Sequence, residues 1–174
     1  MNMKTLSALL ILMLWSLPAM ATDGLKIQPD KAVYNKDGLL IMVALVDDAY
    51  GFLEEWKKPS LADTPVVKTR TTFHRGEIVF PAINFSTDTL DSAGKANIVF
   101  DLLILRPDGS SYVDAKNKIV VDGIPPKGIG LVQDQIALKV ENHDPYGKYK
   151  IRVKITDKNK KVSVDIPLAF DVVP

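Results

Sequence analysis

"DPYGKYKIRVKITDKNKKVSVDIPLAFDVV", residues 144–173, alternates apolar and polar side chains over most of its length. From 148 to 156 the apolar set is Tyr149, Ile151, Val153 and Ile155; from 162 to 172 it is Val162, Val164, Ile166, Leu168, Phe170 and Val172. Side chains on a strand point to opposite faces in turn, so a period of two means two strands that each bury one face. Between them "TDKNKK" is polar and carries Asp and Asn, which suits a hairpin connection. Pro167 has no N–H to give to a ladder, which predicts an outward position at an edge or a bulge.

The same signal runs upstream. "LKIQPDKAVY", "LLIMVALV", "PVVKTRTTF", "GEIVFPAINF" and "DQIALKVEN" each read as a strand. "GKANIVFDLLILRPDGSSYV" adds one that is apolar on both faces from Ile98 to Leu105, the mark of a central strand buried on both sides. Arg106 to Gly109 is a turn, with Pro107 presetting its backbone angle. Roughly eight to ten short strands separated by turn residues predict an all-β fold, a single Ig-like antiparallel β-sandwich, with closure into a barrel as the alternative. Residues 47–65, "DDAYGFLEEWKKPSLADTP", break the alternation. The spacing of Phe52, Leu53 and Trp56 fits a turn or two of helix stopped by Pro59, a loop helix laid across one end of the sandwich.

The first residues carry Lys4, an apolar run from Leu6 to Leu17, Pro18 and the small-x-small triplet Ala19-Met20-Ala21. This pattern predicts a secretory signal peptide over 1–21 and a mature single domain over 22–174, periplasmic or secreted. About a dozen apolar residues fall short of the roughly 18 needed to span a bilayer. The sequence contains no cysteine. That removes disulfides, thiolate metal sites and a lipidated cysteine, so no lipid anchor is expected and the fold must rest on its core.

There are 22 Lys and Arg against 21 Asp and Glu, so no whole-protein attraction to nucleic acid is expected. Lys148, Lys150, Arg152 and Lys154, continued by Lys158, Lys160 and Lys161, form a basic patch. On the strand they take every second position, as a solvated face requires; an anionic ligand is the less favoured reading. His74 and His143 are isolated, without metal-ligand spacing, and no nucleophile elbow or phosphate loop is present, so neither an enzyme nor a cofactor is predicted. Calcium held by Asp47, Asp48, Asp63 and Asp144 is the more reasonable ion, although no EF-hand spacing supports it. Asn84 begins an Asn-Phe-Ser glycosylation match beside a strand end, a pattern frequent by chance.

"PDKAVYNKDGLLIMVAL", residues 29–45, resembles the opening of macroglobulin-type and related bacterial Ig-like domains, in which an Asp-Lys pair, a Tyr and a Gly precede a long apolar strand. "LRPDGSSY", "GKYKIRVKI" and "LAFDVV" resemble the same group's mid-domain turn, late Gly-x-Tyr strand and closing strand. The resemblance implies that Tyr149 folds back to bond a backbone group upstream, closing a corner whose turn comes from Asp144, Pro145 and Gly147. The family's thioester motif and an Ig disulfide pair are absent.

The leading expectation is a non-catalytic exported interaction module that binds a protein partner or an envelope component through loops at one end. Tyr50, Phe52 and Trp56 would be the contacts, because aromatic side chains dominate binding hot spots; the competing reading has Phe52, Leu53 and Trp56 plug the open end. The alternatives are a pilus-chaperone or surface-fibre subunit with an exposed edge strand, and a hydrolase using loop carboxylates.

Overall fold

The computed structural model describes residues 23–58 and 67–174. The predicted signal peptide, Pro59 and Asp63 lie outside the described residues. Among the described residues eleven strands and one helix follow in the order β1 (Leu25–Ile27), β2 (Lys31–Lys36), β3 (Leu39–Val46), α1 (Ala49–Trp56), β4 (Thr72–His74), β5 (Ile78–Thr87), β6 (Ala96–Leu105), β7 (Ser111–Gly123), β8 (Gly130–Leu131), β9 (Leu138–Lys139), β10 (Gly147–Asp157) and β11 (Val162–Val173). The protein is all-β, with two sheets and one short helix. The first sheet runs β1-β2-β3-β5-β8, with β9 also on β5; the second runs β4-β11-β10-β6-β7.

The hairpin of β10 and β11 pairs Tyr149 with Phe170 and Val153 with Ile166, so the apolar sets of both strands share one face. That face meets Ile98, Leu102 and Ile104 from β6 and Ile41, Val43 and Leu45 from β3 in one core between the sheets. At about 25 cal/mol per Å² of apolar surface withdrawn from water, this shared core is the main force holding the layers together. The turn is fixed by Asp157, whose carboxylate accepts from Asn159 N at 2.9 Å and Lys160 N at 3.1 Å. Pro167 is exposed on β11, whose far side is paired with β4 only from Asp171 to Val173.

Several expectations are corrected. The sheets are not wholly antiparallel: β4 lies parallel to β11. The two are far apart in sequence, so no tight turn dictates their direction. "LKIQPDKAVY" is two strands, because the chain reverses between Gln28 and Lys31 with a Gln28 N to Lys31 O bond of 2.7 Å and then pairs β1 back onto β2. "DQIALKVEN" contributes only the two residues of β9. Its Ile136, Leu138 and Val140 pack on the core, and Val140 exchanges backbone bonds with Gly76 and Glu77 outside any strand. The described part of "PVVKTRTTF", from Val67 on, likewise forms only the start of β4 and an isolated bridge from Thr69 to Val46.

The helix also sits elsewhere than expected. Asp48 caps it by accepting from Gly51 N at 2.9 Å. Its apolar face then lies on the outer side of β5, where Phe52 and Val46 form a second cluster with Phe80 and Ala82. It therefore covers the outer side of β5 around Phe80 and Ala82.

Candidate functional site

Side chains on the outer face of the second sheet come from the alternate positions of β6, β10 and β11, those not used by the core. On β10 these are Lys148, Lys150, Arg152 and Lys154, and on β11 Ser163, Asp165, Pro167, Ala169 and Asp171. On β6 they are Asp101, Leu103 and Leu105. Leu102 and Ile104, pointing inward, are wholly buried, whereas Leu103 and Leu105 are half-buried. No second layer covers this face among the described residues.

A groove of about 490 Å³ crosses the face from β1 over β11 and β10 to β6. Leu103 and Leu105 lie at one end, Leu25 and Ile27 at the other, and Pro167 between. Ile27 is 51% exposed and forms one wall of the groove. Lys150, Arg152, Ser163 and Asp165 supply the polar rim. Arg152 grips Asp165 with two bonds of 2.9 Å, so that pair is close to neutral toward a ligand. The size falls within the range of small-molecule sites, and the lining, apolar with a few convergent polar groups, is of the same kind.

The predicted contact residues do not come together as a surface. Phe52 is 7% exposed, its ring 5.7 Å from Trp56 and 6.0 Å from Phe80. Trp56 is half-buried on the same cluster, and Tyr50 alone projects, 70% exposed. Phe52 and Trp56 are four residues apart, the spacing of one helix face, and that face is used for packing.

The corner at residues 141–149 is a structural assembly. The Tyr149 hydroxyl donates to Pro145 O at 2.9 Å, and Gly147 takes a φ of 126°, which an L side chain adopts with strain. Asp144 is 1% exposed; its carboxylate accepts from the Tyr112 hydroxyl and from Glu141 N at 2.6 Å, and its carbonyl accepts from Arg75 Nε at 2.9 Å. Burial and then the Asp144 carboxylate push the Tyr112 hydroxyl well above the usual tyrosine range.

Of the other calcium ligands expected from the sequence, Asp48 caps the helix and Asp47 pairs with Arg70 at 2.9 Å. Among the described residues no group of three or more metal-binding side chains converges. His74 places Nδ1 2.7 Å from Pro174 O, and His143 is exposed on the corner loop. Asn84 is 5% exposed within β5, too enclosed to carry a glycan on this fold.

Sequence reasoning passed over the groove although its signal was visible. The doubly apolar stretch from Ile98 to Leu105 was read as burial on both sides. Periodicity reports that both faces are apolar, and it is silent on what covers them.

No protein-family model matches the chain, and no curated protein matches it in sequence. Among solved structures, a Pseudomonas fluorescens alkylpurine DNA glycosylase AlkC bound to DNA containing an abasic site analog is similar, with 12% identity and a TM-score of 0.40, over 60% of this chain and 28% of its own. A family 123 glycoside hydrolase from Clostridium perfringens is similar over 79% of this chain and 27% of its own, with 11% identity and a TM-score of 0.46. This chain thus spans little more than a quarter of either. Both are enzymes by description, which differs from the non-catalytic module acting through its end loops expected from the sequence. The likeness is distant and of fold alone, and neither chemistry passes to this chain with it.

Proposed function

We propose that the protein binds a small, largely apolar ligand in the groove on the outer face of its second sheet, on an Ig-like frame of the macroglobulin type and in an extracytoplasmic compartment. The single observation behind this is Leu103 and Leu105 lining an uncovered groove on a sheet face that should be polar. An outer face open to water ordinarily completes a hydrophobic-in, polar-out alternation. Here β6 breaks the rule at two successive outward positions, while its neighbour β10 keeps it with four cations. Apolar side chains left open to water cost solubility, and a bound ligand removes that cost. The signal-like residues 1–21 support the compartment, and the Tyr149 to Pro145 bond supports the Ig-like frame.

The test uses N-phenyl-1-naphthylamine, an uncharged dye that fluoresces in apolar surroundings. Wild-type protein is expected to enhance its emission saturably at one site. Leu103→Asp combined with Leu105→Asp should abolish the enhancement while the circular dichroism and melting of the fold persist, because both side chains are only half-buried. Tyr50→Ser should leave binding unchanged. Absence of binding to wild type, or binding indifferent to the two aspartates, would remove the groove as the site.

A further inference from the structure

The groove has one cation whose charge the sheet leaves uncompensated. On β10, Lys148 stands opposite Asp171, with 3.9 Å between their charged atoms, and Lys154 stands opposite both Asp101 and Asp165. Arg152 is held by Asp165. Lys150 has apolar residues on both sides, Leu105 across β6 and Ala169 across β11, as Arg152 has Leu103 and Pro167, but unlike Arg152 it is in no ion pair among the described residues. Cross-strand neighbours of opposite charge are the ordinary arrangement on an exposed sheet. An ammonium set between Leu105 and Ala169 at the rim of an apolar groove therefore matches a ligand that is itself half apolar and half anionic.

The floor narrows the choice further. β10 is laddered to β11 on one side and β6 on the other, and β6 in turn to β7, so their backbone N–H and C=O groups are spent within the sheet. A peptide laid across β10 and β6 would find no backbone partners there, the main source of affinity in strand addition; only the far side of β11, paired with β4 from Asp171 to Val173 alone, keeps backbone groups outside the ladder. No aromatic side chain lines the groove to stack on a sugar ring. An alkyl chain demands neither, and it gains about 0.8 kcal/mol for each methylene withdrawn from water.

We infer that the ligand is a single-chain amphiphile with an anionic head, a carboxylate or a phosphate monoester, whose head group meets Lys150 while its chain lies along Leu105, Leu103 and Pro167. This rests on the groove reading given above. Lys150 is the residue that selects the head group, and the leucines accept the chain whatever head it bears.

Calorimetric titration of the full mature protein with decanoate, monodecyl phosphate, 1-decanol and decylammonium separates the two claims. Both anions are expected to bind about fivefold more tightly than decanol, the scale of one exposed charge contact, and decylammonium more weakly than decanol. Lys150→Met should bring the anions to within about twofold of decanol and leave decanol itself unchanged, and 1 M salt should have the same effect on wild type. The tighter of the two anions identifies the head group. Equal binding of decanoate and decanol by wild type, or a preference that survives Lys150→Met, overturns the inference and leaves the groove reading standing. Failure of all four compounds, decanol included, overturns both.

Discussion

β5 and β6 carry the same sequence signature, apolar side chains on both faces, and meet opposite fates. On β5 the outward Phe80 and Ala82 are 2% and 1% exposed, because α1 lies over them. On β6 the outward Leu103 and Leu105 stay half-buried, with Lys150 and Arg152 of the neighbouring strand beside them and no helix above. The difference teaches that an apolar outer face is a demand for cover, which the chain meets for one sheet and, among the described residues, leaves open for the other. Removing a side chain from each place sharpens the contrast. Phe80→Ala should cost about 3 kcal/mol, the usual scale for emptying a buried aromatic site. Leu103→Ala should cost less, about 1–2 kcal/mol, because part of its surface, unlike that of Phe80, is still wet in the folded state. Denaturant unfolding followed by Trp56 fluorescence measures both. Equal costs would make the outer face of β6 a structural core, and the groove would lose its meaning as a site.

How far each region could be read in advance follows from the same contrast. The β10–β11 hairpin was legible because each strand buries one face and wets the other, so period two survives intact. The two-sheet, all-β class followed from many such short runs. β7 was not named as a strand through Lys118–Gly123, since three register shifts against β6 carry its side chains out of simple alternation. Pro81 sits within β5 without harm, because β9 pairs at Ile78 and Val79 and β8 at Asn84 and Phe85, leaving a gap in which its missing N–H is not required. The three aromatic residues do not share one exposed surface, for a physical reason. Tyr50, Phe52 and Trp56 were chosen by residue type, but a helix of eight residues with Phe52 and Trp56 on one face cannot stand free in water and must spend that face on packing. Leu103 and Leu105 are visible in the sequence as apolar, and only the sheet order shows that no described element is layered over them.

A smaller effect is expected from loosening the cover without emptying it. Asp48 is the N-cap of α1, and its loss leaves Gly51 N without its acceptor. Asp48→Ala should destabilise by about 1 kcal/mol, and the loss should fall on the helix and the β5 cluster beneath it. Hydrogen exchange should accelerate through Ala49–Trp56 and leave β6 and β10 as protected as before. Faster exchange in β6 as well would mean that the two outer faces are energetically one, and the comparison between them would collapse.

The smallest effect concerns the ion pairs that fasten the start of β5. Glu77 precedes the strand and accepts from His74 N at 2.6 Å and from Arg70 at 3.1 Å. Burial pushes its carboxyl up, but the His74 N–H and the Arg70 guanidinium outweigh that and hold it below its ordinary value of 4.5. A carboxyl lowered by folding gives its full stabilisation above that ordinary value, and the contribution is lost as the pH falls through the folded one. The side chain is about a third exposed, so solvent screens it, and Glu77→Gln should cost less than about 1 kcal/mol at neutral pH. The variant's stability should also fall less steeply than wild type below pH 4.5. The pair belongs to β5, so dye binding in the groove, measured at pH 6 on the same variant, should be unchanged. A parallel loss of binding would show that the fastening of one sheet sets the shape of the other, and the groove would then be a property of the whole fold instead of the face of β6.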